Sequence, residues 1–125
     1  MTRNEFVALL RTMEDGWNAG DAGMVAACFT EDVDYADPVR YHFSNRAALL
    51  PFFALAPGEG QSVVWHALVF DEAEQAGAAE YTYTGSYTYH GLALVRVRDE
   101  RISQWREYQH VSEELWEMFV NGPDR

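Results

Sequence analysis

Glu107 stands in the run Trp105-Arg106-Glu107-Tyr108, where strand alternation sets it on a mainly apolar face. A carboxyl held among apolar neighbours is desolvated, which lifts its pKa from about 4.3 toward neutrality and suits it to proton transfer. Asp37, in Tyr35-Ala36-Asp37-Pro38, reads from its neighbours as a turn former, an Asp before Pro that accepts from nearby backbone amides. Tyr81, His66 and His90 are the candidate substrate-orienting groups, and Trp17 and Trp105 the candidate apolar contacts. Each has a structural alternative: histidines satisfied in a core, tyrosines that pack across strands, a glutamate paired with a neighbour. No spacing sets three metal ligands together, so no metal is expected, although two His and one Glu on facing strands leave that combination open.

These side chains need elements to converge on. Phe6, Leu10, Met13 and Trp17 recur at helical spacing, and Gly20 ends that stripe. Asp21 caps a second short helix, whose apolar stripe takes Cys28 into the core; Glu31 to Asp37 is extended and ends at Pro38. Ser44 caps a third helix through Leu50, closed by Pro51 and by the turn Pro57-Gly58-Glu59-Gly60. The pattern then changes to four strands, Ser62 to Asp71, Ala76 to Thr84, Tyr87 to Arg98 and Arg101 to Val111, before a last short helix that starts at Ser112. Helices followed by a meander predict an α+β domain; no alternating βαβ pattern or Gly-rich phosphate loop is present.

The register follows from the turns. Gly85-Ser86 and Asp99-Glu100 as two-residue loops set Tyr81 opposite His90 and His90 opposite Gln109, and a four-residue loop precedes Ala76. One face then gathers His66, Leu68, Phe70, Tyr81, His90, Leu92, Leu94, Trp105, Glu107 and Gln109, the mixture of apolar walls and convergent polar groups expected of a ligand pocket. The other face, with Trp65, Tyr87, Tyr89, Val95, Val97, Ile102 and Tyr108, is too apolar for a solvated surface and predicts a homodimer through the outer sheet face.

Composition narrows the partners. The chain has 125 residues, 48% hydrophobic and 14% aromatic, enough for one domain spanning 1–125. Nine basic against twenty acidic residues give a formal charge of −11, which repels nucleic acid and anionic membrane surfaces, and no apolar stretch reaches membrane-spanning length. One cysteine allows no internal disulfide, so a cytoplasmic location is expected.

Three stretches carry a resemblance: Trp17-Asn18-Ala19-Gly20-Asp21, Phe29-Thr30-Glu31-Asp32-Val33-Asp34-Tyr35-Ala36-Asp37-Pro38, and Arg101-Ile102-Ser103-Gln104-Trp105-Arg106-Glu107-Tyr108. Together they resemble the SnoaL-like branch of the nuclear transport factor 2 and ketosteroid isomerase superfamily, across nearly the whole chain. The resemblance implies a cone-shaped curved antiparallel sheet with N-terminal helices on its concave face, a cystatin-like α+β barrel, commonly dimeric. Asp37-Pro38-Val39 is similar to the segment that carries the catalytic base in ketosteroid isomerases, but Met13 and Leu94 stand where that family's oxyanion-stabilising Tyr and Asp are expected. Trp105-Arg106-Glu107-Tyr108 is similar to the Trp-Arg-Asp-Tyr ending of limonene epoxide hydrolases, whose water-holding Tyr and Asn fall at Tyr35 and Asp37. Their supporting Arg-x-Asp is absent, the chain reading Ala78-Ala79-Glu80-Tyr81-Thr82 there. The expectation is a cofactor-free enzyme, an isomerase, cyclase or epoxide-hydrolase-like protein acting on a small hydrophobic molecule. The alternative is a non-catalytic ligand-binding or dimeric association domain of the same fold.

Overall fold

The computed structural model describes residues 1–55 and 61–122; the expected turn at Pro57 to Gly60 lies outside the described residues. The chain runs α1 (Arg3–Asn18), α2 (Ala22–Ala26), β1 (Phe29–Asp37), β2 (Tyr41–Phe43), α3 (Arg46–Leu55), β3 (Ser62–Asp71), β4 (Ala76–Thr84), β5 (Thr88–Arg98), β6 (Arg101–Val111) and α4 (Trp116–Asn121). The six strands form one sheet in the order β2-β1-β6-β5-β4-β3. The expected cystatin-like α+β fold stands, with one change: β1 runs parallel to β6, so the sheet is mixed.

α1 begins in a capping box, in which the Thr2 hydroxyl accepts from the Glu5 amide and the Glu5 carboxylate accepts from the Thr2 amide. Its stripe buries Phe6, Leu10 and Met13 against the sheet. Polar groups fix the docking along the edge strand β3: Asn18 exchanges two hydrogen bonds with the Val63 backbone, Glu14 accepts from the Trp65 amide at 2.9 Å, and the Trp65 indole donates to the Leu10 carbonyl at 2.7 Å. These contacts also occupy edge groups that would otherwise invite another strand. α3 runs beyond the expected stop, because Pro51 is accommodated inside it; Asn45, rather than Ser44, caps it by accepting from the Ala48 amide.

The last four strands form where the sequence predicts, β5 starting one residue later at Thr88, but not all of their faces do. The β4–β5 loop holds three residues, pairing Thr84 with Thr88, so β5 is shifted by one residue and pairs Tyr81 with Gly91. A bulge at His66 in β3 and another at Ser103 in β6 change parity again. The interior face therefore takes Trp65, Tyr89, Ala93, Val95, Val97 and Ile102, all expected outside or unassigned, together with Tyr81, Trp105 and Glu107 as expected. Small residues in the middle of β5 are what make this register fit: a Cβ on Gly91 would lie 2.5 Å from Tyr81 Cζ, so only the bare backbone leaves room for that ring. Leu92, Leu94, His66 and His90 consequently belong to the outer face, where Val64, Val69, Leu92 and Tyr108 are each about half exposed.

On that outer face α4 covers the two histidines. Trp116 stacks on His66 at a centroid distance of 3.8 Å, and His90 Nε2 donates to the Glu114 carbonyl at 2.8 Å. Thr82 Oγ1 lies between the two rings, hydrogen-bonded to His90 Nδ1 at 2.9 Å and to His66 Nε2 at 2.7 Å. Desolvation holds the His66 pKa below its ordinary 6.5, with the His90 ring in the same direction and Glu80 and Glu117 opposing. With α4 undocked His66 is better solvated and binds a proton more tightly, so docking is firmest above pH 6.5 and weakens as the pH falls through that value. Amide protection factors in α4 are expected to drop between about pH 7.5 and about 5.5, and His66→Phe, which keeps a stacking ring, to remove the drop. Protection that is flat across this range would contradict the arrangement.

Candidate active site: a buried glutamate at the foot of an aromatic cleft

Glu107 is 2% exposed on the inner face of β6. Its neighbours are fixed by the pairing on either side. The parallel β1–β6 register sets Tyr35 beside Trp105, and the rings stack at 6.2 Å with an interplanar angle of 7°. Tyr81 reaches across from β4 over Gly91, and the β1–β2 hairpin, in which Asp37 pairs with Tyr41, brings in the Tyr41 phenol.

Three phenols donate to this one carboxylate: Tyr35 and Tyr41 to Oε1, the former at 3.4 Å, and Tyr81 to Oε2. Burial first, and then the charge of Glu107, push the pKa of all three phenols well above the ordinary value of 10. They therefore stay neutral donors. Burial also dominates at Glu107, lifting its pKa above the ordinary 4.5 and outweighing the donors Tyr41, Tyr81 and Trp105, which favour the ionised form. The Trp105 indole N–H is buried and forms no well-aligned hydrogen bond among the described residues, so its influence on Glu107 is electrostatic.

Asp37 is also buried, but its oxygens are engaged. Oδ1 accepts from the Val39 and Arg40 amides at 2.9 and 3.2 Å, and Oδ2 pairs with the Arg40 guanidinium at 3.0 Å. That is the turn-forming arrangement, and it shapes the hairpin that presents Tyr41. His66 and His90, expected beside Glu107, lie on the far side of the sheet because of the β3 bulge and the three-residue loop. Leu92 and Leu94 leave with them, and the apolar surroundings of Glu107 come instead from Trp65, Trp105, Met13 and Val63. Cys28 offers no alternative nucleophile, since burial pushes its thiol up to about 11.

Beside Glu107 lies a void of about 20 Å³ that reaches Trp17, Tyr35 and Tyr89. It has room for roughly one water or one small substituent. The same three residues form the inner wall of an open cleft of about 460 Å³, bounded farther out by Tyr41, Phe52, Tyr83, Tyr87 and Gln109. A ligand in the cleft can thus extend a small group toward the carboxyl while its bulk meets aromatic faces. Tyr41 and Tyr89 escaped the sequence reading. Tyr41 sits on a strand of three residues, too short for alternation to register, though pairing it across the Asp37 turn would have placed it inward with Tyr35.

A curved mixed sheet wrapped on helices, with its polar centre inside the concavity, defines a cystatin-like α+β protein. Residues 10–105 match the family model of the SnoaL-like domain, and the chain belongs to that family. No curated protein sequence matches it significantly. Among solved structures it is similar to a protein of unknown function with a cystatin-like fold from Methylobium petroleophilum PM1, at 22% identity and a TM-score of 0.80, covering 100% of this chain and 84% of the other. It is similar to an LEH-like epoxide hydrolase of M. tuberculosis, at 18% identity and a TM-score of 0.73, over 86% of this chain and 84% of the other. The Delta 5-3-ketosteroid isomerase from Mycobacterium sp. superimposes with a TM-score of 0.71 at 18% identity, over 86% and 98% of the two chains. At such identities the likeness is one of fold.

Proposed function

We propose that this protein is an enzyme that moves a proton on a small, largely apolar molecule, with Glu107 as the group that exchanges it. The observation that carries this reading is a fully buried carboxyl whose only hydrogen-bond partners among the described residues are phenols. Burial brings its affinity for protons up from the ordinary carboxylate range, and the three donors steady the anion that forms when the proton leaves. Tyr35, Tyr41 and Tyr81 hold the carboxyl, and the substrate lies in the cleft between Tyr41, Tyr87 and Tyr89. Asp37 acts through Arg40 and the hairpin, as a positioning residue. His66 and His90 take no part.

The similarity of Trp105-Arg106-Glu107-Tyr108 to the ending of limonene epoxide hydrolases supports a carboxylate role at Glu107, and the void beside it accommodates the single water that a hydrolysis requires. Turnover of a panel of enones, lactones and epoxides should follow one ionisation that titrates above 4.5. Transfer of isotopic oxygen from solvent into the product would mark the reaction as hydrolysis. A rate that does not vary with pH between about 4 and about 8 would contradict the assignment.

A further inference from the structure

The cleft combines three features that point to one ligand chemistry. Its walls are aromatic on both sides: Tyr41 and Phe52 pack at 4.9 Å on one, and Tyr83, Tyr87 and Tyr89 pack within 6.1 Å of one another on the other. Behind the inner wall formed by Trp17, Tyr35 and Tyr89, across the void of about 20 Å³, is Glu107, a carboxyl with no cationic partner among the described residues. Arg40, which also lines the cleft, is already neutralised by Asp37 at 3.0 Å. Finally, Gln109 lines the cleft with its amide nitrogen donating to Tyr41 at 3.3 Å, while its Oε1 is buried without a hydrogen-bond partner among the described residues. Aromatic faces attract alkylated cations, a spare amide oxygen accepts an N–H, and a chain of charge −11 draws cations toward its openings.

We infer that the substrate of this site carries a protonated alkylamine, held by the tyrosine walls with its N–H directed to Gln109 Oε1 and its charge toward Glu107. The inference rests on the reading of Glu107 as the proton-exchanging group and names the class of molecule it serves. It also adds a reason for the absence of a cationic side chain beside Glu107: the ligand supplies the countercharge, and its arrival favours the ionised carboxylate that a proton-abstracting step needs.

The test uses the full-length protein and three probes of nearly equal shape: protonated dimethylaminoethanol, choline, which lacks the N–H, and their neutral neohexyl alcohol isostere. Binding is followed by aromatic proton shifts. Both cations are expected to bind about tenfold or more tightly than the alcohol, and the tertiary amine more tightly than choline. Tyr87→Leu, at a rim position that is 40% exposed, should weaken the cations severalfold more than it weakens the alcohol. Equal binding of the three probes, or binding of none, would overturn the inference. Cation preference with turnover retained in Glu107→Gln would overturn the reaction instead, and lost turnover without cation preference would overturn the ligand class alone.

Discussion

Glu107→Gln is expected to reduce turnover by about 10²- to 10⁴-fold while ligand affinity stays within a few fold of the wild type. The amide preserves shape and still accepts from two phenols, so the cleft is unchanged, but it has no proton to exchange at any accessible pH. The same variant has a thermodynamic signature. Folded Glu107 titrates above its ordinary 4.5, so the folded protein retains a proton that the unfolded chain has released. The stability contributed by the protonated carboxyl is present below pH 4.5 and is lost as the pH rises through the folded-state value. The melting temperature of Glu107→Gln, measured against wild type, should therefore rise relative to it as the pH increases. A variant that keeps full turnover would remove Glu107 from the chemistry.

Gly91→Ala is expected to damage the site without altering any group in it. The added Cβ falls 2.5 Å from Tyr81 Cζ and 2.8 Å from its hydroxyl, and the ring has no free direction of retreat because Trp65, Tyr89 and Trp105 pack around it at 5.3, 5.8 and 6.4 Å. Overpacking of this kind costs about 1–3 kcal/mol and drives the Tyr81 phenol off Glu107. Displacing a positioning group by about an ångström can lower turnover up to about 100-fold. Tyr81→Phe separates the two effects, since it removes the hydroxyl and keeps the ring. Chemical denaturation and initial rates measured together check both; an alanine variant with native stability and native rate would show that Tyr81 is not confined as described.

Element positions were legible because they depend on local pattern: the Phe6-to-Trp17 stripe and the spans of the last four strands needed only periodicity and turn residues. Facing was not, because it depends on single residues. One extra residue in the Gly85-to-Tyr87 loop, with bulges at His66 and Ser103, exchanged the inner and outer sides of β5 and of the first half of β3. Nothing local distinguishes those bulges from continuous strand, and the shifted β4–β5 register is the one that sets Gly91 against the Tyr81 ring. Glu107, Trp105 and Tyr81 kept their side of the sheet. Tyr35 joined them because β1 pairs in parallel with β6, a long-range contact no turn announces. The histidines were misplaced for the same reason that Tyr89 was missed.

The central claim is that burial lifts Glu107 above the ordinary carboxylate range and so suits it to exchange a proton. A carbon-detected NMR titration of the Glu107 carboxyl, assigned by comparison with Glu107→Gln, reads this directly. The account predicts a midpoint above the ordinary 4.5, moving downward when a protonated amine fills the cleft. A midpoint at or below 4.5 in the unliganded protein would contradict it.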